Sequence, residues 1–169
     1  MTKPFHRGGT NMEPLINSGI YDPKEGKMQT GKSYFEDVAL WHKAAGHPVR
    51  KKLVTTAASG SEHQSRELGL RLVVEEFKEL VSAFDSNNWE EVADACGDII
   101  WVTCGLAARL GINLDAAWHE IRRTNWEKIG GPVREDGKIL KPEGWKPPSM
   151  EVALQGIPMG EDFQPEGKE

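Results

Sequence analysis

The chain has 169 residues with Lys+Arg 21, Asp+Glu 26 and a net charge of -5. That is long enough for one stable core, and it lacks the basic surplus that general binding to a nucleic-acid polymer needs. Hydrophobic residues at 38% and charged residues at 28% suit a globular domain in water, and no apolar run is long enough to span a bilayer. No apolar stretch follows Lys3 and Arg7, so the start does not read as a secretory leader. Cys96 and Cys104 lie about 12 Å apart along one helical pattern, too far for a disulfide. Two buried free thiols and a cytoplasmic location are the expectation. An acidic balance still admits a polyanionic small molecule, because divalent cations invert the sign of an acidic site.

Residues 1–31 hold Gly8, Gly9, Gly19, Gly26, Gly31, Pro4, Pro14 and Pro23 without a sustained period, which predicts an irregular N-terminal arm. Ser33-Tyr34-Phe35-Glu36 matches a capping box, and Phe35, Val38 and either Ala39 or Trp41–His42 continue an apolar stripe that Gly46 and Pro48 stop. A polar connector, 49–62, precedes a second helical pattern over about 63–85 carried by Leu68, Leu72, Val73, Phe77, Leu80, Val81 and Phe84. Asp85 to Asn88 break it. A third helix over about 89–110 is apolar almost all round, with Ile99, Ile100, Trp101 and Val102 consecutive, so burial on several sides is expected. Gly111 suits its C-terminal cap, and Asn113 suits the N-cap of a fourth helix reaching Lys128. Val133 to Leu140 predict a short C-terminal β-hairpin turned at Asp136-Gly137. The fold class is therefore an all-α compact helical bundle, residues 32–148, between the arm and a loose tail at 149–169.

The chemistry is carried by carboxylates. Glu75, Glu76 and Glu79 fall within an arc of about 100° on the second helix, and Val73, Val74 and Phe77 border them. Glu91, Asp94 and Asp98 fall within about 60° on the third. A lone carboxylate at Asp98, before Ile-Ile-Trp-Val, needs a cation or a partner such as Arg66 or Arg71. Consecutive helices joined by a short turn can bring both acidic faces together, and the repulsion then calls for metal ions between them. An all-oxygen donor set selects Mg²⁺ or Mn²⁺ over zinc. Di-iron oxidation wants Glu-x-x-His pairs, and His119 has Ala116 three positions before it. A hard-metal cluster points to phosphate chemistry, with Asn125 and Lys128 one turn apart and Arg134, Lys138 and Lys141 downstream as phosphate ligands.

Taken in order, Arg71-Leu-Val-Val-Glu-Glu-Phe-Lys-Glu79, Glu91-Val-Ala-Asp-Ala-Cys-Gly-Asp98, Asn125-Trp-Glu-Lys128, Glu135-Asp-Gly-Lys-Ile-Leu-Lys141 and Trp145-Lys-Pro-Pro148 resemble the MazG-like family of all-helical nucleoside triphosphate pyrophosphohydrolases, in the single-domain form common in bacteriophages. The resemblance covers roughly residues 34–148. It implies cleavage between the α- and β-phosphorus of a nucleoside triphosphate, releasing monophosphate and pyrophosphate, with two or more Mg²⁺ or Mn²⁺ ions per site. Glu76, Glu79 and Asp98 match metal-ligand positions, and Glu75 matches the first acid, which binds metal or orients the attacking water. Where many members carry Glu, this chain has Ala95, so either Asp94 or Glu91 completes the site. Lys128 with Lys138 or Arg134 would hold the outgoing pyrophosphate, Asn125 would orient a phosphate or sugar, and Trp41 and His42 would form the base wall. The resemblance further implies a homodimer or homotetramer with sites shared between subunits, acting in a host cytoplasm if phage-encoded. It is similar to a MazZ-like subgroup acting on dATP and dGTP, in phages with 2-aminoadenine in their DNA. The alternatives are phosphoribosyl-ATP pyrophosphohydrolase, whose fold and cleaved bond are the same, and a non-catalytic nucleotide-sensing or oligomerisation module that keeps the metal site.

Overall fold

The computed structural model describes residues 19–22, 27–30, 33–54 and 60–158. In chain order its elements are β1 (Gly19–Asp22), β2 (Lys27–Thr30), α1 (Tyr34–Ala44), α2 (Ser61–Asp85), α3 (Trp89–Leu110), α4 (Leu114–Trp126) and α5 (Glu151–Leu154). None of these helices is long and apolar enough to cross a membrane.

The helix boundaries follow local chemistry. Ser33 Oγ accepts from the Glu36 N–H at 3.1 Å, which is the first half of a capping box. Asn88 and Asn113 accept in the same way from Glu91 and Ala116, at 3.4 and 3.1 Å. Ser86, Asn87 and Asn88 reverse the chain between α2 and α3, with Asn87 in the left-handed region at φ 56. A turn this short makes the two helices antiparallel neighbours, and they pack along their length. Gly69 lets them approach, since a Cβ there would press on the Leu106 and Arg109 side chains at 3.1 Å. At the other end of α3, Gly111 takes φ 72, and a side chain there would run into the Lys52 carbonyl oxygen.

The core sits between α1 and the C-terminal half of α3. Phe35 and Val38 meet Cys104, Ala107, Ala108 and Ile157, with Val49, Ile112 and Leu114 packed around them. Removing a buried aromatic or branched side chain from water contributes about 1.5–3 kcal/mol, so this small cluster anchors the fold. The connector after α1 caps α3: the Arg50 and Val54 N–H groups donate to the Ala108 and Leu110 carbonyls, both at 2.9 Å.

Four expectations change. Residues 133–140 form a tight turn closed by a single Val133–Ile139 bridge instead of a hairpin, with Pro132 and Pro142 at its edges unable to donate to a longer ladder. The arm is not irregular throughout, because β1 and β2 pair antiparallel from Gly19–Thr30 to Asp22–Lys27; the rest of 1–31 lies outside the described residues. The tail is not loose over 149–158: α5 docks, Asn113 N–H donates to Ala153 O, Ile157 N–H donates to Lys51 O, and Ala153 and Ile157 are buried. Residues 159–169 lie outside the described residues. Burial of the second and third helices is also less than expected. Phe77 and Phe84 are each 59% exposed, Ile100, Trp101, Asp98 and Cys96 are exposed, and only Cys104 of the two free thiols is buried. The helical period was a sound guide to the helix, but it cannot say whether the apolar face is covered within one chain.

Candidate active site

The α2–α3 hairpin places Glu75, Glu76 and Glu79 beside Asp94 and Asp98. Glu76 is partly buried, and its carboxyl is pushed above the ordinary carboxylate range. Loss of surrounding water is the first cause, followed by the charges of Glu79, Asp98, Glu75 and Asp94. Those four neighbours come from both helices, so the five acids share one electrostatic field. Glu91 is not among the groups that act on Glu76. Among the described residues, no three His, Cys, Asp or Glu side chains stand close enough together to hold one ion. Like charges lower their energy by spreading, and exposed Glu side chains can rotate inward onto a cation. The donor chemistry, all carboxylate oxygen with a proton-avid Glu76 at its centre, fits a hard divalent ion. Neither Arg66 nor Arg71 makes a salt bridge to Asp98 among the described residues, so no local guanidinium neutralises it.

Asp94, one turn before Asp98, acts on Glu76 through its charge, and Glu91 is not among the groups that do. Asp94→Asn is expected to raise the Mg²⁺ concentration for half-maximal activity by about tenfold, or about 1.4 kcal/mol in metal binding. Glu91→Gln should move it much less. A Mg²⁺ titration of both variants that gave the opposite ranking would put Glu91 in the site.

A second cluster forms at the end of α4. Asn125 Nδ2 donates to Ile121 O, and Asn125 Oδ1 accepts from Lys128 Nζ, both at 2.8 Å. Trp145, half-buried, donates from its indole N–H to Thr124 O at 2.9 Å. The Lys128 and Lys141 ammonium groups lie 5.7 and 4.3 Å from the Trp145 ring centre. Arg134 is held by Asp136, which also accepts from the Lys138 backbone N–H, so the guanidinium must exchange a partner before it can bind phosphate. Arg123 is held by both Glu120 and Glu127. The structure gathers the acids in one place and Asn125, Lys128 and Lys141 in another. It does not bring the two clusters together through helix packing, since α4 packs chiefly on α5. A shallow depression on α4, lined by His119, Arg122, Arg123, Trp126 and Glu127, includes none of the five acids.

The base-wall pair separates. Trp41 is 37% exposed and meets Trp101 edge-on, with ring centres 5.5 Å apart, and His47 at 5.4 Å. His42 is buried against α3, where a Cβ on Gly105 would meet its Nε2 at 2.8 Å. Burial first, and then the nearby Arg109 charge, lower its pKa to about 4, so it is neutral at physiological pH. Trp101, which packs edge-on against Trp41, follows Asp98 by three positions and so shares that face of α3.

Residues 49–125 match the family model described as phosphoribosyl-ATP pyrophosphohydrolase. The matched segment contains all five acids and ends at Asn125, a little under half of the chain. The chain is also 36% identical over 98 residues to an uncharacterized protein of Acanthamoeba polyphaga mimivirus, covering 58% of this chain and 38% of the relative. It therefore spans well under half of the curated relative that it matches.

Proposed function

We propose that the chain hydrolyses a nucleoside triphosphate to monophosphate and pyrophosphate in a reaction that depends on Mg²⁺ or Mn²⁺. The observation that carries this reading is that Glu75, Glu79, Asp94 and Asp98, from two helices, all bear electrostatically on Glu76. Divalent ions at such a site neutralise phosphate charge and lower the pKa of an attacking water. Glu76, Glu79, Asp94 and Asp98 serve as ligands, two or more ions being needed to offset five carboxylates. Glu75 either joins them or orients the water. Asn125, Lys128, Lys138 and Arg134 bind the phosphate tail, and Trp41 offers the base a ring face, with His42 behind it as packing. A homodimer or homotetramer is part of this reading, because acids and lysines on separate parts of one chain can complete a site across subunits.

Purine deoxynucleotides are the proposed substrates, in control of a phage nucleotide pool. A purine presents a larger π-face to Trp41 than a pyrimidine does. The family match favours a second substrate, phosphoribosyl-ATP, which carries the same adenine and the same scissile bond. Turnover of the four dNTPs and phosphoribosyl-ATP by the purified protein separates these readings. We expect kcat/KM for dATP and dGTP to exceed that for dCTP and dTTP by at least about tenfold. Trp41→Ala should lower purine turnover more than pyrimidine turnover. Equal efficiency on all four would reject purine selection, and turnover of phosphoribosyl-ATP alone would establish the second reading.

A further inference from the structure

Lys128 and Lys141 come from different segments, the end of α4 and the stretch beyond the Asp136-Gly137 turn, yet both lie against the same indole. Both bring positive charge to one ring. Among the described residues neither forms a salt bridge with a carboxylate, and the nearest polar partner of Lys128 is the neutral Asn125. The Trp145 ring holds Lys141 and shares Lys128 with Asn125, since a cation over an indole face gains about 0.5–1 kcal/mol at an exposed site. The ring is fixed in turn by its N–H bond to Thr124 O, on a residue that is fully buried in α4. The result is two cations against one ring, whose complement is a multiply charged anion.

We propose that Trp145 is a positioning residue that holds Lys128 and Lys141 as a clamp for the two outer phosphates of the substrate, and so for the leaving pyrophosphate. This rests on the pyrophosphohydrolase reading for its substrate but not for its anion. The aromatic ring, not the N–H alone, does the positioning.

Calorimetric titration of inorganic pyrophosphate into the full chain tests it, alongside thermal melting of each variant. Trp145→Leu is expected to weaken pyrophosphate binding by about tenfold, as is Lys141→Met. Trp145→Phe keeps a ring face, loses the N–H bond, and should stay within about threefold of the parent protein. Trp145→Leu added to Lys128→Met and Lys141→Met should cost nothing further in affinity, because the clamp has already gone. Parent-like binding by Trp145→Leu would overturn the inference, as would a Trp145→Phe protein as weak as Trp145→Leu. A parent protein that does not bind pyrophosphate would overturn it too. Trp145-dependent binding in a protein that hydrolyses no triphosphate would leave the clamp standing and remove the proposed activity.

Discussion

Asp98→Ala and Glu79→Ala are each expected to lower kcat by at least about a thousandfold, roughly 4 kcal/mol in the barrier, while the protein stays folded. Both residues act on Glu76 through charge, one from each helix, so each removes a donor that the proposed ions need and neither is a core residue. The folded, metal-free protein should gain stability from either change. The Glu76 carboxyl lies above its ordinary range when folded, so the native state holds that proton more tightly than the unfolded chain does. Its ionised form therefore opposes folding at neutral pH, and the opposition fades as pH falls through the raised value toward the ordinary carboxylate range. Melting of the metal-free protein should accordingly rise on mild acidification, and this rise should flatten in Asp98→Ala. Retention of more than about a tenth of parental kcat, a loss under about 1.4 kcal/mol, would remove that residue from the site.

The second large effect concerns assembly. Leu70, Val74, Phe77, Val81 and Phe84 are exposed along α2 at alternating spacings of four and three. This is the seam of a coiled coil, and one protomer leaves it facing water. Exposed apolar stripes of this length mark association surfaces. Sedimentation of the parent protein is expected to give a dimer or tetramer at about micromolar concentration, where an interface of ordinary affinity is populated. Phe77→Lys with Val81→Lys should dissociate it, since two buried ammonium groups without partners cost several kcal/mol. A stable parental monomer would contradict the assembly. Activity surviving in the dissociated variant would show that each chain holds a complete site.

Much of this architecture is legible in the sequence where the signal is local. Ser33, Asn88, Asn113 and Gly111 mark helix ends by side-chain capping or by a left-handed backbone, and both signals depend on a few neighbouring residues. The acids are legible for the same reason: spacings of three and four place Glu75, Glu76 and Glu79 on one face, and a short turn joins that helix to Asp94 and Asp98. Non-local relations are not legible. Periodicity made Phe77 and Ile100 apolar-face residues, but an intermolecular partner covers a face as well as an intramolecular one does. Asp136-Gly137 signals a hairpin turn within residues 133–140, whereas the flanking prolines limit pairing to one bridge. The docking of 149–158 depends on backbone bonds to Lys51 and Asn113, distant in sequence and without a side-chain signature. Trp145 stood inside a recognisable motif, but its place under two lysines is a tertiary fact.

The five acids are proposed to support cleavage between the α- and β-phosphorus. Phosphorus NMR of the products of a dATP reaction, with Mg²⁺ and then with the metal chelated, tests it most directly. dAMP and pyrophosphate are expected with metal, and no turnover without it. Formation of dADP and inorganic phosphate, or turnover that survives complete chelation, would contradict it.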